Sequence, residues 1–249
     1  MIIIKSSDEI QKIREAGKIV SEALYLAGEA IREGMTTWEL NALIEKVITD
    51  HKAYPSFKNY NGFPAASCIS TGCIVVHGIP SKKVVLNEGD IVSVDVGAFL
   101  NGYHADAART FAVGKISAEA QKLIDVTREC FFLGAQQAVE GNRIGDIGFA
   151  VQSHAEKHGY GVVRELVGHG VGRNLHEEPD VPNFGNSGRG QRLKNGMVIA
   201  IEPMINAGTR EVDFDNEDGW TVRTRDRALS AHYENTVAIT PDGPIFLTE

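Results

Sequence analysis

Four stretches of the chain carry apolar residues at helical spacing: Ser7 to Gly34, Thr37 to Lys52, Ala118 to Glu140 and Ile144 to Gly159. Ser7, with Glu9 and Ile10 close behind, supplies a start signal for the first. β-rich runs predict strands at Ile91–Val96, Ala105–Val113, Met197–Ile205, Thr221–Thr224 and Tyr233–Thr240. Hairpins thus alternate with helix pairs, which predicts an α+β fold with helices on one sheet face.

The pattern repeats. "LNEGDIVSVDVGA" from Leu86 matches "LKNGMVIAIEPMI" from Leu193 at an offset of 107 residues. Gly89 falls on Gly196 and Asp95 on Glu202. The same offset carries Glu33-Gly34 onto Glu140-Gly141 and Leu40 onto Ile147. One offset shared by separated landmarks argues for duplicated halves about a pseudo-twofold axis. The expected organisation is a single domain over residues 1–249, with halves of about 1–115 and 116–249. A site at such an axis would take one acid from each half.

The acids interrupt apolar strands. Asn101-Gly102 is a two-residue hairpin turn signal. With these at the turn, Leu100 faces Tyr103, Gly97 faces Asp106 and Asp95 faces Ala108. Side chains alternate along a strand, so Asp95 and Asp106 become diagonal neighbours, Cβ atoms roughly 7–8 Å apart. Two partly buried carboxylates at that range repel, and burying an unpaired charge is costly. A divalent cation resolves both problems, with Gly97 expected to leave it room. On the hairpin alone, two solvent-facing aspartates on a polar edge account for the pattern equally well. Three further segments tip the balance. Glu202 interrupts "IAIEPM", Glu234 precedes the β-rich run of "HYENTVAIT", and His169 sits between glycines in "LVGHGVG". Four carboxylates and one imidazole suit Mn²⁺, Fe²⁺, Co²⁺ or Zn²⁺, not a thiolate zinc site. Four negative charges balance two such ions, and paired ions can polarise a carbonyl.

Composition adds mainly exclusions. The 249 residues are 43% hydrophobic and 23% charged, an ordinary globular balance. A net charge of −8 without a basic run argues against DNA binding. No stretch approaches the roughly 18 apolar residues of a membrane span. The apolar run after Met1 is too short for a signal-peptide core. Three cysteines, Cys68, Cys73 and Cys130, make no disulfide framework. A cytoplasmic protein with free thiols is expected, and no coiled coil or long apolar edge calls for more than a monomer.

"HGIP" at His77, Asp95 and Asp106 across the hairpin, "GHGVGRNLHEEP" from Gly168, "IEPM" at Glu202 and "HYEN" at Glu234 together resemble the type I methionine aminopeptidases, a branch of the pita-bread metallopeptidases. The resemblance runs over nearly the whole chain. It implies the pita-bread fold, a curved antiparallel sheet of two related halves covered by helices. It implies an aminopeptidase with two divalent metal ions, which removes the initiator methionine when the second residue is small. By resemblance, Asp95 holds one metal through both oxygens, Asp106 and Glu234 bridge the pair, and His169 with Glu202 completes the second. His176 would stabilise the developing oxyanion, His77 would bond near the scissile amide, and Glu202 would also pass a proton to the leaving amine. Tyr60, Phe63, Cys68, Leu175 and Trp220 would line the pocket for the methionine side chain, an unbranched thioether. The implied partner is a peptide or nascent-chain N-terminus, which leaves room for ribosome association.

Two positions depart from the family pattern. Gly72 stands where Asn is frequent, which puts a monovalent-cation site in doubt, and Asn235 stands where His is frequent. Only 25 residues lie between His176 and Glu202, too few for the helical insertion of type II enzymes. With no cysteine-rich extension at the N-terminus, a bacterial-type form is expected. The enzymatic rival is a proline-specific aminopeptidase or dipeptidase of the same fold, which usually carries a further N-terminal domain. A peptide-binding module that lost catalysis should have lost ligands.

Other signals carry less. "HAEKH" at His154–His158 has Ala155 where a zinc protease needs Glu, so a solvated helix face is expected. Cys73 lacks a second pair for zinc. "GHGVGR" has the wrong spacing for phosphate. His51, His104 and His232 read as surface or packing residues, the latter two close in sequence to candidate ligands.

Overall fold

A computed structural model describes all residues 1–249. It contains the four helices: α1 (Ser7–Ala30), α2 (Thr37–Asp50), α3 (Ala118–Ala135) and α4 (Ile144–Lys157). Each starts where the pattern predicts and stops a few residues earlier. The N-cap of α1 is Ser6 rather than Ser7, because Ser6 and Glu9 satisfy each other's backbone N–H groups. Thr36 and Glu39 do the same for α2. Apolar periodicity overshoots the ends because turn residues also enter the core: Ala138, beyond α3, is fully buried beside Ile144 and Ile147.

The central hairpin has the expected register. Leu100 pairs with Tyr103, Gly97 with Asp106 and Asp95 with Ala108. Its strands, Ile91–Leu100 and Tyr103–Ala112, run longer than predicted, up to a turn where Asn101 and Gly102 both take positive φ. Two-residue periodicity then divides labour. Val92, Val94, Val96 and Ala98 pack beneath α1 and α2 with Leu40, Ile44 and Ile48. Ser93, Asp95 and Gly97 occupy the opposite face. Strand Ser67–Thr71 pairs alongside, setting Cys68 opposite Asp95. That strand was not expected, because the apolar-poor "SCIST" carries little strand signal.

The second half departs further from expectation, with short unpredicted strands at Gly161–Val162, Gly168–Gly170, Glu177–Val181, Val212–Phe214 and Gly243–Phe246. The strand predicted over Met197–Ile205 is two strands, Val198–Ile201 and Met204–Asn206. The run at Tyr233–Thr240 likewise begins at Asn235, with a separate strand at Ser230–His232. Ile201 pairs with Asn235 and Met204 with His232, so the same antiparallel register resumes across the gap. Pro203 has no N–H for the ladder, and the interruption leaves Glu202 and Glu234 level with each other. One strand pair therefore serves two sheets, with two acids at the break. Val198 and Ala200 pack toward α1 residues Ile13 and Ala16, while Ile199 and Ile201 pack against the α3–α4 side. Burial on both faces explains the unbroken apolar run "MVIAI".

The 107-residue correspondence extends to backbone hydrogen bonds. Gly34 N–H bonds the Leu86 carbonyl and Gly141 N–H that of Leu193, at 2.9 and 3.1 Å. Leu86 N–H bonds Met35 and Leu193 N–H bonds Asn142, both at 2.8 Å. Isolated bridges Thr36–Val85 and Arg143–Arg192 obey the same offset. The architecture is the pita-bread α+β fold of two related halves. The hairpins meet where Glu234 N–H bonds the Ala108 carbonyl at 3.0 Å and Thr110 Oγ1 donates to the His232 carbonyl at 2.9 Å.

Leu40 and Ile147 are equivalent positions, both with no solvent exposure. Truncating either to Ala should cost about 2–5 kcal/mol of unfolding free energy, read from urea midpoints at constant slope. A cost below about 1 kcal/mol at one of them would mean that the two helix faces are not equivalent cores.

Candidate active site and metal centre

One cavity of about 350 Å³ brings the predicted residues together. Asp95, Asp106, His169, Glu202 and Glu234 line its floor; Tyr60, Phe63, Cys68, His77, Leu175, His176 and Trp220 line its walls. Phe57 and Asn61 also line it and were missed, since neither carries a motif. The acids come from strand centres and breaks, where rigid backbone holds them. Asp106 and Glu234 are each 3% exposed and His169 7%. Donor atoms of these three lie within 4.8 Å of one another. His169 Nε2 is 3.6 Å from both Asp106 Oδ2 and Glu202 Oε1.

A divalent cation suits this donor set. Asp95 Oδ1 is buried with no hydrogen-bond partner, a cost without compensation in a metal-free site. His169 Nδ1 lies 2.9 Å from the Gly170 carbonyl, so it carries the proton and donates it. Nε2 keeps its lone pair toward the carboxylates, the tautomer that metal ligation requires. Burial, then the neighbouring negative charges, raises the Asp95, Glu202 and Glu234 carboxyls well above the ordinary range. Burial likewise raises Asp106, to about 6. Burial pushes His169 down to about 4, keeping it neutral and ligand-competent.

Residues without a recognisable motif orient these acids. Asp106 N–H donates to Thr236 Oγ1 at 3.1 Å, and that hydroxyl lies 2.9 Å from Asp106 Oδ1. Arg109 grips the Glu234 backbone carbonyl, stacks over Tyr233 at 4.2 Å and donates to Asn235 Oδ1 at 2.7 Å. Asn235 also accepts from Thr248, so this departure from the family pattern serves the strand that carries Glu234. Gly72, the other departure, has its carbonyl bonded to Ser230 N–H at 3.0 Å.

Two expectations about glycines change. A Cβ on Gly97 would meet Ser56 and the Phe57 ring at 2.8 Å, so the space opposite Asp106 admits a wall residue rather than an ion. Cβ atoms on Gly168 and Gly170 would strike the Ala200 and Glu178 carbonyls at 2.3 and 2.4 Å. The glycines around His169 therefore allow close strand packing, not close approach to a ligand.

His176 stands over His169, ring centroids 4.0 Å apart, and its Nδ1 lies 2.8 Å from the Tyr60 hydroxyl. The residue opens to solvent on one side, yet the protein around the ring and the adjacent His169 push it down to about 4. Burial raises Tyr60, which remains a phenol and can donate. A donated phenol proton on Nδ1 leaves Nε2 carrying its hydrogen as the free donor. The loop bearing both histidines is anchored by a buried ion pair, Lys5 Nζ to Glu177 Oε2 at 2.6 Å. His77 takes a left-handed φ of 59°, unusual for a non-glycine residue and typical of functional sites. Its ring meets Trp220 edge-on, and burial holds it neutral. His51 pairs with Glu22 at the surface, as expected. His104 bonds Ser56 at 2.9 Å behind the wall. His232 is buried, with neither ring nitrogen hydrogen-bonded and Nε2 3.8 Å from Glu202 Oε2.

The model of metallopeptidase family M24 matches residues 11–241. A methionine aminopeptidase from Clostridium acetobutylicum is 56% identical over 248 residues, covering 100% of this chain and 99% of the relative. The crystal structure of methionine aminopeptidase from Rickettsia prowazekii superposes with a TM-score of 0.98 at 42% identity, covering both chains fully. The prolidase from Pyrococcus horikoshii aligns with a TM-score of 0.78 at 27% identity; this chain is fully covered, but only 64% of that one.

Two outcomes follow from the electrostatics. Raised carboxyl pKa values mean that the metal-free site holds protons which a cation must displace. Apparent affinity for Mn²⁺ or Co²⁺ should therefore fall as pH drops through about 6, the Asp106 value. Calorimetry at pH 7 in two buffers of different ionisation enthalpy should reveal proton release, and identical heats would contradict it. Tyr60→Phe removes one neutral hydrogen bond, worth about 1 kcal/mol, and frees the His176 tautomer. Turnover should drop roughly fivefold with metal content unchanged; an unaltered kcat would leave Tyr60 no role in orienting His176.

Proposed function

We infer that this chain, which belongs to metallopeptidase family M24, is a methionine aminopeptidase of the bacterial type. It removes the N-terminal methionine of new proteins whose second residue is small. The observation that carries this reading is the cavity itself: one floor of four carboxylates and His169 beside one apolar wall of Phe63, Cys68 and Trp220. Full-length relatives named methionine aminopeptidase at up to 56% identity favour it over the proline-specific rival. The substrate is a peptide or nascent-chain N-terminus met in the cytoplasm, at or after the ribosome. The reading takes the enzyme as a monomer folded as one domain.

Two divalent ions, of Mn, Fe, Co or Zn, fit the charge of four carboxylates. Asp95 would hold one ion, Asp106 and Glu234 both, and His169 with Glu202 the second. When bound, such ions neutralise the acids, polarise a carbonyl and make water nucleophilic at neutral pH. The chain's own groups do the rest. Phe63, Cys68, Trp220 and Tyr60 accept the unbranched thioether, and burial keeps the Cys68 thiol protonated and apolar. His176, through Nε2–H, donates to the oxygen that gains charge as the scissile carbon becomes tetrahedral. Neutral His77 hydrogen-bonds near the scissile amide. Glu202, 3.6 Å from His169, would pass a proton to the leaving amine.

Three measurements test this reading. Asp106→Asn should lose metal stoichiometry and nearly all activity; full turnover with metal bound would overturn the ligand set. His176→Ala should lower kcat on the order of 10²–10³-fold with little change in KM. Altered metal content with unchanged kcat at saturating metal would make it a ligand instead. On peptides differing in one position, Met-Ala and Met-Ser starts should be cleaved well and Met-Trp poorly. Norleucine in place of Met, a small change in an apolar pocket, should lose no more than about 1–3 kcal/mol. A preference for Xaa-Pro would favour the prolidase-like rival while leaving the metal site standing.

A further inference from the structure

"HAEKH" lies on the last turn of α4, where a solvated helix face was expected from sequence alone. The fold adds a partner from elsewhere in the chain. α3 and α4 pack closely: Cys130 Sγ donates to the Val151 carbonyl at 3.6 Å, and a Cβ on Gly134 would meet Val151 at 2.7 Å. This packing brings Glu129 of α3 beside both histidines. His154 Nε2 lies 2.7 Å from Glu129 Oε2, and the His154 and His158 rings are 4.8 Å apart at 61°. Donor atoms of all three residues fall within 4.8 Å of one another. None of the three lines the cavity.

We propose that Glu129, His154 and His158 form a second, surface metal site that binds Zn²⁺ and ties α3 to the end of α4. Two imidazoles and one carboxylate are a donor set suited to zinc, and three protein ligands leave a fourth position for water. Zinc bonds of about 2.1 Å place tetrahedral ligand atoms about 3.4 Å apart. The donor atoms already lie within 4.8 Å of one another, and the Glu129 side chain is 55% exposed, so it can adjust as a ligand. The histidines need not search. His154 is only 19% exposed, and His158 is the C-cap of α4, followed by Gly159 at φ +80°. The negative end of the α4 helix dipole also favours a cation. The competing state is the hydrogen bond between His154 and Glu129 alone, with His158 idle.

The test is titration of ZnCl₂, by calorimetry, into the metal-loaded enzyme and into His158→Ala and Glu129→Gln. Both positions are peripheral, so cleavage of a Met-Ala-Ser peptide should be unchanged and serves as the folding control. The parent should bind one more zinc per chain than His158→Ala, and Glu129→Gln should weaken that extra site at least tenfold. Asp106→Asn, which disables the cavity, should keep it, so this result is separable from the reading of the active site. Anomalous scattering at the zinc edge from soaked crystals should show a peak among the three side chains. Equal stoichiometry in parent and His158→Ala, or anomalous peaks confined to the cavity, would overturn the proposal and leave the His154–Glu129 hydrogen bond.

Discussion

Four carboxylates gathered in one poorly hydrated cavity repel one another, and much of the molecule serves to make that arrangement tolerable. Left to itself, such a cluster takes up protons, as the raised Asp95, Asp106, Glu202 and Glu234 carboxyls indicate. Divalent cations are the alternative charge balance, and the chain is built for it. His169 is set in the ligating tautomer by the Gly170 carbonyl, Asp106 is held by Thr236, and the Glu234 strand is clamped by Arg109.

The duplicated architecture supplies the acids economically. Each half offers a strand pair that packs under helices and brings two acids to the cavity. In the first half the hairpin is unbroken, and two-residue alternation alone sends Asp95 inward. In the second half the strand is buried on both faces, so alternation cannot present an acid. A break at Glu202-Pro203 does so instead. The halves thus reach a similar charge placement by different backbone means, which is why the repeat is clearer in hydrogen bonds than in strand boundaries.

The neutral histidines complete the chemistry because their surroundings forbid charge. Burial keeps His77, His169 and His176 unprotonated near neutral pH, helped at His176 by repulsion from His169, so each offers one donor and one acceptor nitrogen. Which nitrogen does which is decided by a contact outside the cavity floor: a carbonyl for His169, a phenol for His176. The loop that carries both is pinned by the buried Lys5–Glu177 pair, so the N-terminal segment contributes to a site far from it in sequence.

How much of this was legible beforehand depended on range. Helices, the hairpin register and the acids that break apolar runs follow from local rules: period 3.6, period 2, and turn preferences at Asn101-Gly102. The repeat followed from one shared offset, and the wall residues came only through family resemblance. What stayed hidden is long-range. Thr236, Arg109 and Phe57 carry no local signature, since ordinary residues become supports only by meeting a partner far along the chain. The glycines at Gly97, Gly168 and Gly170 were visible, but what occupies their missing Cβ space was not. His154 and His158 looked like a solvated face until α3 delivered Glu129. Sequence by itself determined the four helices, the central hairpin and the chemistry available, because those depend on neighbours a few residues apart. Tertiary structure alone decided tautomers, supports and second partners, because those depend on which distant side chains packing forces together.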